Sequence, residues 1–353
     1  MPWNKLVTGP GSRWTEANGP EAEVVLSSRI RLARNLTNFP FPHQMTEAQS
    51  EELIQQVEQG VREINLVGLP SKVELFRLAD TPTLDRQVLV EKHLISPQQA
   101  QQARGRAVAA SQDESISIMV NEEDHLRIQC LAPGLQLKST WQTASTVDDA
   151  LEQKLNYAFD AHRGYLTACP TNVGTGLRAS VMMHLPGLVL TQQAGRLFHN
   201  LSQLGLVVRG LYGEGTEAAG HIFQISNQTS LGKAEEEIIE HLEAVAHKVI
   251  EAEMQARRHL HAEMQMQLED RIGRAYGILS SARVITSEEA MKLLSDLRLG
   301  IDLGMFPRLS QQTLNELMVA MQPAFLQKIE GRELNPLDRD VKRAALIRSR
   351  LKG

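Results

Sequence analysis

Ser117-Ile118-Met119-Val120-Asn121-Glu122-Glu123-Asp124-His125-Leu126-Arg127-Ile128-Gln129 reads as two short strands on either side of a polar connection. The link from Asn121 to His125 has the length that joins antiparallel neighbours, so a hairpin follows whose rim carries the carboxylates of Glu122 and Glu123. Working outward, Glu23-Val24-Val25-Leu26 and Gly205-Leu206-Val207-Val208 are further strand-like runs set among helical segments. Residues 1 to about 232 therefore read as α/β or α+β.

From Ala234 the pattern changes. Ile238, Leu242, Val245 and Val249 recur at helical spacing, and the run continues without proline past Ala275, which predicts one long helix linking two domains. Thr286-Ser287-Glu288-Glu289 has the form of a capping box, Ser310 to Met321 is a further helical stretch, and Asn335-Pro336 supplies a cap and a first-turn proline for a last helix. A cut near 255 leaves domains of residues 1–255 and 256–353, each with a core of its own. Met254, Met264 and Met266 read as packing or dimer contacts. His241, His247, His259 and His261 lack the spacing of a zinc pair, and no metal ligands are assigned on the chain.

Composition narrows the function. The chain has 353 residues, 42% of them hydrophobic, and 37 basic against 42 acidic side chains give a net charge of -5, which argues against direct nucleic-acid binding. Two distant cysteines, Cys130 and Cys169, make neither a disulfide scaffold nor a zinc knuckle, so a reducing, cytoplasmic location is expected. No apolar run approaches the ~20 residues of a membrane span, and the stretch before Glu16 does not read as a leader.

Arginines supply the first half of the chemistry. They stand in Ser27-Ser28-Arg29-Ile30-Arg31, at Arg127, in Thr175-Gly176-Leu177-Arg178 and in Arg209-Gly210. On a strand, Arg29 and Arg31 project to one face, and a planar guanidinium takes two phosphate oxygens at once. Each alone reads as a solvated surface arginine; together with the glycines of Cys169-Pro170-Thr171-Asn172-Val173-Gly174-Thr175-Gly176 they form a clamp for a triphosphate. The same glycines fit a dinucleotide fingerprint, but no apolar strand precedes them and no acid stands between Arg178 and Glu214. A Walker loop and the His-Arg-Asp and Asp-Phe-Gly signatures of protein kinases are absent.

Carboxylates supply the second half: Glu122 and Glu123 on the rim, and Glu214 in Arg209-Gly210-Leu211-Tyr212-Gly213-Glu214-Gly215. Read alone, the rim is a solvated polar turn. Beside the arginines, two carboxylates fit the orientation of a guanidinium, with Glu123 removing its proton as a bond forms and Glu214 assisting.

At these residues the sequence resembles the ATP:guanido phosphotransferase family, the phosphagen kinases. The resemblance rests on Val25 to Arg31, Val120 to Arg127 and Cys169 to Arg178. It implies an α+β fold, an antiparallel sheet flanked by helices, followed by a smaller all-helical domain. It further implies Mg2+ and ATP, with Arg29, Arg31, Arg127, Arg178 and Arg209 on the phosphates and Ser27, Ser28 and Ile30 beside them. His93 would lie near the adenine, and Ala179, Ser180, Val181 and Met182, together with Gly210, Leu211, Tyr212 and Gly213, complete the nucleotide segments. Glu123 falls on the catalytic glutamate with Glu122 next to it, Glu214 on a second glutamate, and Cys169 on a cysteine kept against the guanidinium.

In the small-molecule members a helical domain precedes the Ser-Ser-Arg strand. Here that strand starts at residue 23, so an open site suited to arginine on a protein surface is expected. The C-terminal part is similar to that of the bacterial protein arginine kinases, whose Arg-Asp-x-x-Arg-Ala motif for phosphoarginine matches Arg339, Asp340, Arg343 and Ala344. Without the resemblance this is a surface helix laced with ion pairs. The subgroup implies allosteric control, a homodimer and, as partners, arginine-bearing proteins including a stress-response repressor and unfolded chains, a zinc-binding activator and a Clp-type protease. Rival readings are a kinase of free arginine and a catalytically silent adaptor.

Overall fold

Alternation along Val25–Arg34 (β1) sets the centre of the molecule: Ile30 and Leu32 are fully buried while Arg29 and Arg31 between them are half-buried on the other face. The computed structural model describes residues 2–65, 68–69, 71–210 and 218–352. Around β1 lie Val73–Arg77 (β2), Ala107–Ser111 (β3), Ile116–Val120 (β4), Leu126–Pro133 (β5), Leu177–His184 (β8), Leu206–Gly210 (β9) and Ile222–Asn227 (β10). They form one sheet in the order β2-β3-β4-β5-β1-β8-β10-β9 with every neighbouring pair antiparallel. Phe159–Asp160 (β6) and Gly164–Tyr165 (β7) make a separate small hairpin.

The helices are Glu47–Ile64 (α1), Thr83–Glu91 (α2), Pro97–Gln101 (α3), Leu137–Glu152 (α4), Pro186–Leu190 (α5), Ala194–Gln203 (α6), Glu235–Glu263 (α7), Gln265–Ser281 (α8), Ser287–Asp302 (α9), Gln311–Ala320 (α10), Pro323–Glu330 (α11) and Pro336–Leu351 (α12). Leu53 and Val57 of α1, Val147 and Leu151 of α4, and Leu242 and Val249 of α7 close over the apolar face of the sheet, where Ile30, Ile128, Ala179, Val181 and Ile225 lie. On the opposite face Phe76, Val108, Ala110, Met119, Leu131 and Met182 join a second apolar cluster, and Arg29 and Arg31 stand on that same face.

The expected single long helix is two. The break falls at Met264, whose backbone has φ -134, although no proline interrupts the run. Residues 261 to 267 are all exposed, so the helix loses no buried anchor by ending there. Met254 packs on the main core, whereas Met264 and Met266 are exposed. Of the expected capping box only one half is present, Thr286 accepting from the Glu289 amide; Asn335 caps the last helix as expected by accepting from Asp338, and Ser310, read only as the start of a helical stretch, accepts from the Thr313 amide.

A second apolar cluster draws from both ends of the chain. Trp3, Leu6, Trp14 and Leu89 pack with Leu294, Leu314, Phe325 and Ile347. The helical C-terminal part therefore shares its core with the first residues, and position 255 lies inside α7.

Candidate active site

The register of the sheet decides which arginines meet. Arg31 stands opposite Arg178, and Arg127 opposite Ala33, the residue two along from Arg31. Arg29 faces Ser180, Ser180 faces Ser226, and Gln224 faces Arg209. Directly opposed residues of antiparallel strands share a face, so Arg29, Arg31, Arg127, Arg178 and Arg209 rise from the same side across four strands. Arg29 donates to Ser180 Oγ at 3.3 Å and Gln224 Oε1 at 2.5 Å, and Arg178 donates to Ser226 Oγ at 3.0 Å. Arg31 Nε and Arg178 Nε are buried donors without a partner among the described residues.

So many like charges strain one another. Burial, then Arg127 and Arg178, push the Arg29 guanidinium down to about 9, and burial, then Arg29, Arg127 and Arg178, pull Arg31 well below its ordinary value. A polyanion laid across this face would reverse that penalty.

The rim between β4 and β5 brings the carboxylates to the same place. Asn121 adopts the left-handed conformation at φ 59, which asparagine tolerates. Asn35 holds the turn by donating to Asp124 Oδ1 at 2.6 Å and accepting from the His125 amide at 2.9 Å. Asp124 Oδ1 also accepts from the Ala168 amide at 2.7 Å, which draws the Cys169 segment to the rim. Glu122 is buried, accepting from Arg127 at 3.0 Å and Ser96 Oγ at 2.7 Å, while Glu123 is exposed at the mouth. Burial alone would raise Glu122, but Arg127, Ser96 and the Glu123 amide outweigh it and hold it below the usual range. Glu123 is raised, by burial first and then by Asp124 and Glu122.

One cavity of about 260 Å³ is lined by Arg31, Arg127, Arg178 and Arg209 together with Glu122, Glu123, Asp124 and Cys169. Cys169 Sγ lies 3.0 Å from Thr171 Oγ1. An adjoining cleft holds Ser27, Arg29, Ser180, Met182 and His93, whose ring lies 5.4 Å from that of Trp14. Burial and Arg29 push His93 down to about 4, so it is neutral there. A third and larger cavity, about 770 Å³, meets the first at Glu122 and Glu123 and runs past Ser50, Gln98, Gln102, Arg104 and Arg106.

Other expected residues go elsewhere. Ile30, Ala179 and Val181 point into the core on the opposite face, because neighbours along a strand alternate. Ser28 is also on that side, donating to Gly134 O at 2.8 Å and accepting from the Gln136 amide. Gly210 ends β9, and Leu211, Tyr212, Gly213 and Glu214 lie outside the described residues. Gly174 and Gly176 have φ 112 and 64, but what they approach is the chain itself: a Cβ would meet Leu231 Cα at 2.8 Å and Ala33 O at 2.6 Å. Reading the sequence missed Gln224 and Ser226, although their alternation on β10 matches that of Arg29 and Arg31, and missed Trp14 and Ser96, for which no local pattern exists.

On α12, Arg343 is buried and donates to Met321 O at 2.9 Å, Ile285 O at 3.0 Å and Asp340 Oδ1 at 2.5 Å. Ala344 is buried beneath it, and Arg339 and Asp340 are half-buried. Arg343 thus ties α12 to the segments that end at Ile285 and Met321.

A clamp of arginines facing carboxylates is the chemistry of a phosphotransferase acting on a cationic acceptor. The ATP:guanido phosphotransferase C-terminal catalytic domain model matches residues 52–256, and the chain belongs to that family and is an enzyme of the kinase class. Residues 265–353 match the protein-arginine kinase McsB C-terminal domain. A protein-arginine kinase of Symbiobacterium thermophilum is 72% identical over 351 residues, 99% of each chain, and one of Desulforamulus reducens is 53% identical over 99% of this chain and 98% of its own. The fold is that of lombricine kinase, at TM-score 0.57 and 23% identity over 70% of this chain and 72% of that one.

Proposed function

We propose that the chain transfers the γ-phosphoryl group of Mg-ATP to a guanidino nitrogen of arginine residues in proteins. The observation that carries this reading is the single cavity in which four arginines face Glu122, Glu123 and Cys169. The arginines hold the triphosphate and offset charge on the moving phosphoryl group, while the carboxylates aim the acceptor nitrogen in line and Glu123 takes its proton. Glu214, outside the described residues, is read as assisting on the resemblance alone. Mg2+ would enter with ATP, held mainly by phosphate oxygens and water.

Protein rather than free arginine is favoured by the large cavity that opens beside Glu122 and Glu123, since about 770 Å³ is room for main chain as well as one side chain. The finer features belong to the same reading: a catalytic part over 1–255 and a helical part over 256–353, a cytoplasmic homodimer, and phosphoarginine sensed at Arg339, Asp340, Arg343 and Ala344. So do a zinc-binding activator and the marking of proteins, a stress-response repressor and unfolded chains among them, for a Clp-type protease.

The test is mass spectrometry for acid-labile phosphoarginine after incubating a folded arginine-bearing protein with the enzyme and Mg-ATP. Phosphoarginine on the protein, lost in Glu123→Ala while ATP still binds, is the expected result. Phosphoserine would overturn it, turnover of free arginine alone would assign a phosphagen kinase, and no turnover of any acceptor would leave an adaptor.

A further inference from the structure

We infer that Ser96 is a positioning residue for the reaction: its hydroxyl fixes the Glu122 carboxylate so that Glu123 alone is left free to act on the acceptor. The inference rests on the function proposed above. Ser96 Oγ donates to Glu122 Oε1 at 2.7 Å, and Glu122 Oε2 accepts from Arg127 at 3.0 Å and from the Glu123 amide at 3.2 Å. Both oxygens of Glu122 are therefore occupied, and the carboxylate is tied at once to the phosphate clamp and to the backbone of its neighbour.

The donor is itself held rigidly. Ser96 caps α3 by accepting from the Gln99 amide at 3.1 Å. The Gln99 side chain then clamps that turn to the sheet, donating to Ala107 O and Val120 O, each at 3.0 Å. Val120 immediately precedes the rim, so a single buried glutamine locates both the hydroxyl and the carboxylate it serves. A hydroxyl fixed before the acceptor arrives needs no reorganisation during the reaction. The other charged groups around Glu122 are Arg127, Arg106, Arg31, Glu123 and Asp124, and none of them holds Oε1.

A plain helix cap would look similar, so the variants separate the two roles. Glycine keeps most of the capping function but has no hydroxyl, and threonine keeps both. Ser96→Gly and Ser96→Ala are expected to lower kcat/KM for the protein acceptor roughly tenfold or more, the size of a lost hydrogen bond to a charged group. ATP affinity, measured by calorimetry without acceptor, stays within about twofold because the phosphate clamp remains. Ser96→Thr restores the rate. A crystal structure of Ser96→Ala is expected to show the Glu122 carboxylate turned from its wild-type position.

Wild-type rates in Ser96→Gly, a loss in Ser96→Thr as large as in Ser96→Ala, or a fall in ATP affinity matching the fall in rate would each overturn the inference. So would a Glu122 carboxylate unmoved in the crystal. Should the wild-type enzyme form no phosphoarginine at all, the proposed function fails by itself, and the position of Glu122 in the variant still decides the role of Ser96.

Discussion

Glu122 and Glu123 share a peptide bond and hold their protons differently. Glu122 sits among three hydrogen-bond donors that favour its charge, whereas Glu123 is raised above the ordinary carboxylate value, by partial burial first and then by Asp124 and Glu122. A base that takes a proton from a guanidinium gains from being raised, and an orienting carboxylate gains from staying ionised. Glu123→Gln is accordingly expected to lower kcat by ~10² to 10⁴-fold with ATP affinity kept, as measured by phosphoarginine formation and calorimetry. The pH profile supplies a second check. Glu122 raises Glu123, so Glu122→Gln removes a like charge, and the acid limb of the residual kcat/KM profile moves to lower pH. A limb that stays in place or moves up would assign the base elsewhere.

Gly176 stands where the segment after Cys169 turns into β8, and it does so at φ 64 with Ala33 O only 2.6 Å from where a Cβ would lie. Gly176→Ala therefore meets both strain and collision, and a loss of roughly 1–3 kcal/mol or more is expected in urea unfolding. The same region contains Arg34, buried between Asp148 at 2.6 Å and the ring of Tyr165 at 3.5 Å. Asp148→Ala leaves that guanidinium buried without its counter-charge, a loss of about 3–5 kcal/mol by the same measurement.

These elements also show what sequence conveys. Period-two alternation placed Arg29 and Arg31 on one face, and a polar link of hairpin length placed Glu122 and Glu123 on a rim, because both follow from neighbours along the chain. The same alternation, applied to every residue of a matched segment, puts the side chains of Ser28, Ile30, Ala179 and Val181 on the face away from Arg29 and Arg31. The break at Met264 had no signal in glycine or proline; it follows from the absence of buried contacts over 261 to 267, which only the packed structure reveals. The hydroxyl of Ser96 and the ring of Trp14 reach the site through tertiary packing, and so left no local pattern.

Across the whole molecule, Glu91 joins the helical part to the catalytic part. It ends α2, and its carboxylate accepts from the amides of Ala324 and Phe325, each at 2.7 Å, at the start of α11. Lys92 beside it is buried, bonded to Leu6 O, Gly9 O and Glu114, and His93 follows in the cleft with Arg29. Burial pushes Glu91 up to about 7, against the pull of the two α11 amides and of Arg343. The folded chain therefore holds a proton on Glu91 over a range in which the unfolded chain has lost it, from 4.5 to about 7. Its contribution to stability is fully present below 4.5 and is lost as pH rises through about 7. Glu114 is pushed up to about 7 as well, but it is common to wild type and a Glu91 variant and cancels in their difference. Thermal melts of wild type against Glu91→Gln should thus show the wild type gaining relative stability as pH falls through about 7, the gain levelling below 4.5. A difference that is constant across that range would mean that the carboxylate at the start of α11 is ionised throughout, and that the amides of Ala324 and Phe325 overcome its burial.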